Sequence, residues 1–288
     1  MPTSAVSSLP IAVFVGLAAC AGSAAPPAKA DTPEEKEEGT PSVVSADADR
    51  PSTSKTATFA EDFEWHGPAS GVHVANVNGS IQIERASGSE VAVAATRSGP
   101  DADEVHVEMD KRGKEVFFRV VYPEARPGKK VRVGRHTVIN NHNVDARVDF
   151  VLEVPAAVDV DAKTVNGEVT ANVAASSLHL EAVNGRIDAT GSGDVEASTV
   201  NGPVTVAVPK AHASRVELES VSGALSVHLP ESVGATFDAK TLSGGIHSDF
   251  AIDNRKELVG AKARGKHGDG KVDIDLETVS GSIHIEKS

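Results

Sequence analysis

Aromatic side chains are scarce in this chain: Phe, Tyr and Trp make up 3% of it, with a single Trp and a single Tyr. Compact cores usually draw their largest buried areas from rings. A 288-residue chain rich in Val and Ala but poor in rings therefore calls for a thin core extended in one direction, as in a solenoid. Cysteine is represented by Cys20 alone, so the fold does without disulfides. Positive charge is in deficit, the formal net charge being −13. Binding nucleic acid needs clustered cations that release counterions from phosphates, and this balance argues against it.

The apolar run from Leu9 to Ala19 is too short to cross a bilayer. It has the make-up of a signal-peptide core, and Leu17-Ala18-Ala19-Cys20 resembles the bacterial lipobox, in which the Cys becomes the lipidated first residue. Residues 1–20 are expected to be a lipoprotein signal peptide, with attachment to a membrane through Cys20, although no Lys or Arg precedes the run. Residues 21–56 hold almost no large apolar side chain and cannot bury enough surface to offset the entropy of ordering. As a flexible tether they would hold the rest roughly 30–35 Å from the anchor. The expected location is the extracytoplasmic side of the cell envelope.

The folded part divides into an N-terminal β region at 57–157 and regular repeats at 158–288. Phe59, Phe63 and Trp65 open it, suited to plug a solenoid end. Alternation predicts a hairpin around Lys111-Arg112-Gly113 and a strand at 146–154, separated by a polar excursion at 123–143.

The repeat is read from Thr164-Val165-Asn166-Gly167-Glu168-Val169. Its Gly stands at 79, 167, 185, 202, 223, 244 and 281, in steps of 18, 17, 21 and 21 residues from Gly167 to Gly244. The last step spans about two rungs and holds a basic, Gly-rich insertion at 254–271. Seven and five residues before Gly the columns are apolar, as in Val160 and Ala162 or Leu178 and Leu180. So are the columns two before and two after, as in Val165 and Val169 or Val183 and Ile187. Mostly polar residues between them give the period-two signature of strands with one buried face. Parity slips between the fifth and second residues before Gly, which predicts a corner there and a core position for the Val next to Asn.

Asn-Gly is also a hairpin signal, so an antiparallel meander competes. Residues flanking a two-residue hairpin share a face, yet here the one before Asn is apolar and the one after Gly is usually not. Pro203 also lacks the N–H that would close a hairpin. The reading is a parallel corner, and the fold class expected is all-β: a parallel β-helix or β-solenoid with a less regular antiparallel β region on its N-terminal side. Before each Gly stand Asn78, Asn166, Asn184 and Asn201, then Ser222, Ser243 and Ser280. Rungs stacked roughly 4.8 Å apart let each Asn donate to one neighbour and accept from the other, an interior structural ladder.

The segment 146–171, ARVDFVLEVPAAVDVDAKTVNGEVTA, the Val-Asn-Gly and Val-Ser-Gly rungs after it, and the ending from Gly268-Asp269-Gly270 to Thr278-Val279-Ser280-Gly281-Ser282-Ile283 resemble the bacterial putative adhesin family, domain of unknown function 4097. The likeness covers residue 57 or so to the end. It implies a β-helical extracytoplasmic domain and carries over no catalytic residues.

Six residues before Gly, the outward column reads His73, Asp161, His179, Glu196, Glu217, Asp238 and Asp275; stacked carboxylates can bind cations or move protons. The neighbouring column holds Lys163, Glu181, Ser198, Glu219, Lys240 and Glu277, which lets opposite charges alternate between rungs, and a solvated ion-paired face is the reading. His247 and His284 share a column, but an intervening rung would hold them too far apart for one metal. His136 and His142 need closer spacing or more ligands for zinc. No metal or cofactor is expected, and no nucleophile with its base is found. Two basic excursions oppose the overall charge and supply the candidate partner-binding residues: Arg126, Lys129, Lys130, Arg132 and Arg135 in one, Lys262, Arg264 and Lys266 in the other. The sequence thus calls for a non-catalytic, lipid-anchored envelope solenoid that presents an interaction surface to an unidentified envelope protein or surface ligand. An accessory of an envelope-stress or signalling system, and a carbohydrate-active enzyme on a β-helix, are the alternatives.

Overall fold

A computed structural model describes residues 60–123, 131–133, 136–138, 144–210, 214–256 and 260–288. Cys20, the tether 21–56, Phe59 and the candidates Arg126, Lys129, Lys130 and Arg135 lie outside these residues.

The N-terminal part holds β1 (Ala60–Gly67), β2 (Gly71–Ala75), β3 (Ile81–Arg85), β4 (Val91–Ser98), β5 (His106–Arg112), β6 (Glu115–Val121), β7 (Val131–Val133), β8 (His136–Val138) and β9 (Arg147–Val154). β2 and β3 make the first rung. Further rungs are β10 (Asp159–Asn166) with β11 (Val169–Val173), β12 (Ser177–Asn184) with β13 (Ile187–Gly191), β14 (Asp194–Asn201) with β15 (Val204–Ala207), β16 (Arg215–Ser222) with β17 (Leu225–Leu229), and β18 (Ala235–Ser243) with β19 (Ile246–Ser248). A hairpin of β20 (Asp253–Lys256) and β21 (Ala261–His267) precedes the final rung, β22 (Val272–Ser280) with β23 (Ile283–Lys287).

The first strands of the rungs stack in one sheet and the second strands in another. Val160 lies beside Leu178, and Leu178 beside Val195; across the corner, Val169 lies beside Ile187, and Ile187 beside Val204. These ladders are parallel, so the antiparallel meander is excluded. Leu180, Ile187, Leu218 and Leu225 are fully buried between the sheets. Each such side chain contributes roughly 1.5–3 kcal/mol, so stability is gathered rung by rung rather than from a few rings.

The corner differs from the sequence expectation. Parity does not slip: β10 carries its alternation on through Thr164, which is 3% exposed. The column two before Gly faces solvent instead of the core, with Val183, Val200, Val221, Leu242 and Val279 between 36% and 56% exposed. The inward residue is the one three before Gly, and it is small and mostly polar: Thr164, Thr199, Ser220, Thr241 and Thr278 are buried. A test that scores only apolarity counts these hydroxyl residues as outward. The turn falls at Asn-Gly itself, where the rungs nest closely. Gly185 N–H donates to Asn201 O at 3.0 Å, and a Cβ on Gly185 would lie 1.7 Å from Gly167 O.

Order in space is not order in the chain. The final rung sits between β16–β17 and β18–β19: Leu276 pairs with Leu218 on one side and Ala239 on the other, as Ile283 does with Leu225 and Ile246. The insertion at 254–271, read from the sequence as part of two rung lengths, contributes the β20–β21 hairpin, and β21 pairs antiparallel to β18. Phe237 and Phe250 meet at that end, 5.4 Å between centroids. At the opposite end the β5–β6 hairpin extends the first sheet, and β9, β4 and β1 extend the second. Phe63 and Trp65 each pack 5.7 Å from Phe118. β7 and β8 form a separate two-stranded sheet.

Candidate functional site

The long-strand sheet turns two charged columns outward. In spatial order the first reads His73, Asp161, His179, Glu196, Glu217, Asp275 and Asp238, and the second Ala75, Lys163, Glu181, Ser198, Glu219, Glu277 and Lys240. Over the early rungs opposite charges do meet. Lys163 Nζ lies 3.0 Å and His179 Nε2 2.6 Å from Glu181 Oε1. The hydrogen bond from His179, reinforced by Lys163, holds the Glu181 carboxyl down at about 2, and the same bond holds His179 above its ordinary value. Further along, the expected alternation fails. The interposed final rung sets Asp275 beside Glu217 and Glu277 beside Glu219, where chain order would have placed Asp238 and Lys240. Desolvation, followed by the charges of Glu217, Glu277 and Glu196, pushes Glu219 up.

Beyond β18 the sign reverses. Lys262 stands opposite Lys240, and Arg255 opposite Lys262, so cross-strand pairing lines up three cations. Arg264 reaches Asp238, Nη2 to Oδ2 at 2.7 Å, and both Arg264 and Lys266 are exposed. Arg132 of the other predicted patch lies in β7, with no shared sheet linking it to this row.

At the opposite end, a cavity of about 520 Å³ opens against β2, β5, β6 and β10. The Phe117 ring stacks on the His73 imidazole, 4.2 Å between centroids and 6° between planes, and the Arg112 guanidinium lies 4.8 Å from the Phe117 centroid. His73 Nδ1 is 3.3 Å from Asp161 Oδ2. Among the described residues the buried Asp161 Oδ1 has no hydrogen-bond partner, with the Lys163 ammonium 3.5 Å away. Ala75 leaves a gap in the row between Arg119 and Lys163, and Arg119 is gripped by Glu108 Oε2 at 2.6 and 2.9 Å. An aromatic plane with charged walls suits a polar ligand group laid across the sheet. The sequence reading missed this concavity, although the alternation of Val116, Phe117 and Phe118 already turns Phe117 outward.

Along the corner, Asn166 Nδ2 donates to Asn78 Oδ1 at 2.9 Å, Asn184 to Asn166 at 3.0 Å and Asn201 to Asn184 at 2.9 Å. Asn166, Asn184 and Asn201 are exposed, so this row runs along the outside of the corner and is not the interior ladder expected. Ser222, Ser280 and Ser243 follow in that spatial order, joined through the backbone: their carbonyls accept from Gly202, Gly223 and Gly281 at 3.0, 3.1 and 3.0 Å.

On the second sheet, His247 and His284 are direct partners in adjacent strands, with ring centroids 5.4 Å apart. No rung separates them, because the final rung is slipped in directly beside β18–β19.

The sequence model of the family described as Toastrack DUF4097 matches residues 66–286. None of the curated proteins matches the chain. Among solved structures, a putative cell adhesion protein from Clostridium sporogenes ATCC 15579 is similar at 15% identity, covering 78% of this chain and 99% of that one, with a TM-score of 0.44. A putative adhesin from Bacteroides fragilis NCTC 9343 is similar at 12% identity, covering 82% of this chain and 98% of that one, with a TM-score of 0.29.

Proposed function

The chain belongs to the Toastrack DUF4097 family, and from that premise we propose that it is a non-catalytic, lipid-anchored cell-envelope protein whose long-strand sheet docks an envelope protein or surface ligand. The observation that supports this reading most is the fixed charge array on that sheet. In-register stacking spaces its side chains roughly 4.8 Å apart, with carboxylates in the middle, the Lys240, Lys262 and Arg255 row at one end, and the Phe117–His73 cavity at the other. Apart from the edge strand β20, the strands of this array are held by ladders on both sides and lose little freedom on binding, which lowers the cost of association. In this reading a lipid on Cys20 supplies the membrane attachment.

Photo-cross-linking in intact cells, from probes placed at Phe117 and Lys262 and from a control at Thr205 on the second sheet, tests the docking face. A partner captured from the first two positions and not from the third is the expected result. Equal capture from Thr205 would overturn the assignment of the face, and glycan turnover abolished by a single carboxylate substitution would overturn the non-catalytic reading. The anchor has its own test: Cys20→Ser should move the protein out of the membrane fraction, and retention there would exclude lipidation at that residue.

A further inference from the structure

His247 and His284 sit on the outward side of β19 and β23 as in-register partners, their rings inclined by only 18°. His284 Nε2 lies 2.9 Å from Ser282 Oγ, two residues back along its own strand. The equivalent position before His247 is Gly245, where a Cβ would lie 3.3 Å from His247 Nε2. Both Nε2 atoms therefore point toward the same row, Ser282 beside Gly245, whose adjacency is marked by the bond from Ile283 N–H to Gly245 O at 2.9 Å. The missing side chain of Gly245 leaves a notch in front of His247.

The other edge of the His284 ring faces a carboxylate. Its Nδ1 lies 4.0 Å from Glu286 Oε1, and Glu286 Oε2 lies 3.3 Å from His228 Nδ1. At 4.0 Å from His284 the carboxylate is a neighbouring charge and not a hydrogen-bond partner, and its field favours a cation bound beside the ring.

We propose that His247 and His284 bind one transition-metal ion of the zinc class through their Nε2 atoms, with the Glu286 charge close by and the Ser282 hydroxyl giving up its contact with His284 Nε2. Imidazole suits zinc, copper and nickel, whereas magnesium and calcium take oxygen ligands. Bonds of about 2.0–2.1 Å to one ion require the two Nε2 atoms within about 4 Å of each other. From stacked rings 5.4 Å apart, that approach requires the two surface imidazoles to turn about their side-chain torsions on binding. No three His, Cys, Asp or Glu side chains among the described residues are grouped to hold a metal ion, so this is a two-nitrogen site completed by water. The ion would tie the final rung to the rung it was slipped beside, and binding only the folded form, it would raise stability.

The test is titration of the full chain with zinc chloride, followed by calorimetry, thermal unfolding and histidine-selective NMR, with magnesium chloride as the control. Zinc should raise the melting temperature where magnesium does not, and should move the imidazole resonances of His247 and His284 together. Glu286→Gln should weaken binding only modestly, by removing a nearby charge, and His247→Ala or His284→Ala should weaken it at least about tenfold by removing one of the two ligands. His66→Ala, in β1 at the far edge of the same sheet, should leave this site unchanged. A folded His247→Ala chain that still shifts the His284 resonance with undiminished zinc affinity would overturn the proposal. So would unmoved His247 and His284 resonances in the wild type at saturating zinc.

Discussion

Thr199 Oγ1 donates a 3.2 Å hydrogen bond to the carbonyl oxygen of Gly185 in the preceding rung. The relationship recurs from Thr164 to Gly79 at 3.2 Å, from Ser220 to Gly202 at 3.3 Å, from Thr241 to Gly281 at 3.0 Å and from Thr278 to Gly223 at 3.2 Å. The corner thus carries two rows of hydrogen bonds: side-chain amides outside, from Asn78 to Asn201, and buried hydroxyls inside at five of the rungs. Water can replace a partner in the outer row but not in the inner one. Thr199→Val, close to isosteric, should therefore cost about 1–3 kcal/mol by leaving the Gly185 carbonyl short of a partner. Asn184→Ala should cost about 0.5–1.5 kcal/mol. Urea melts of both variants check the ranking, and a larger loss for Asn184→Ala would mean that the outer row holds the corner.

Two rungs lack the inner hydroxyl: the first, where the buried Asn76 amide instead donates to Val148 O at 2.8 Å, and the third. Ala182 is buried at the equivalent position, facing the carbonyl of Gly167. Ala182→Ser should add the missing bond with little added volume and raise stability by about 0.5–1.5 kcal/mol. A lower melting temperature would show that the pocket at Ala182 is too tight for an oxygen.

How much of this was legible in the sequence depended on which physical signal each element sends. Val160, Ala162 and Val169 announce strands with one buried face, and the sequence reading placed those columns, the parallel corner and the antiparallel N-terminal region. Thr164 and Thr199 concealed the true parity of the corner, because a hydroxyl that satisfies a buried carbonyl looks, by composition alone, like a surface residue. The place of the final rung could not be read locally. Leu276 suits a slot beside Leu218 as well as one beyond Ala239, since every rung offers the same apolar edge. That ambiguity hid the His247–His284 pair, the carboxylate cluster at Glu219 and the Lys240, Lys262 and Arg255 row. The Phe117–His73 cavity was hidden differently, by the union of a hairpin and a rung far apart in the chain.

Gly185 is held to glycine by its neighbour more than by its own backbone. A Cβ there would penetrate the Gly167 carbonyl at 1.7 Å, and neither rung can move without opening its ladder. Gly185→Ala should cost more than about 3 kcal/mol, in the range reserved for overpacking and strain. Gly88→Ala, where an added Cβ meets nothing within 4 Å, should be nearly neutral. Thermal unfolding of the two variants side by side is sufficient, and equal melting temperatures would refute the nesting argument.

Glu219 carries the repulsion that the out-of-order rung creates. Its carboxyl is pushed up by desolvation and by Glu217, Glu277 and Glu196, so the folded chain takes up its proton more readily than the unfolded chain does. The resulting strain is present when the group is ionised and relaxes as the pH falls. Glu219→Gln should stabilise the protein by about 0.2–1 kcal/mol at neutral pH, the usual scale of a cross-strand like-charge pair. The gain should shrink in about 1 M salt, where the screening length drops to about 3 Å, and again near pH 4. Destabilisation at every pH would show that the carboxylate serves a bond rather than a repulsion.

His179 and Glu181 supply the opposite case, and their pH window follows from the direction of each shift. Glu181 is held down at about 2 from an ordinary 4.5, first by the hydrogen bond from His179 and then by Lys163. Its contribution is present above 4.5 and lost as the pH falls toward 2. His179 is held above its ordinary 6.5, first by the hydrogen bond to Glu181. Its contribution is full below 6.5 and lost as the pH rises through the raised value. The pair is therefore strongest between pH 4.5 and 6.5. With Glu181 40% exposed, solvent screening keeps the effect below about 1 kcal/mol. The difference in melting temperature between wild type and Glu181→Gln should peak near pH 5.5. It should decline above neutrality to what Lys163 alone supplies, and disappear near pH 2. A difference that stays flat from pH 5 to pH 9 would mean that His179 contributes nothing as a cation and that the 2.6 Å contact acts as a neutral hydrogen bond.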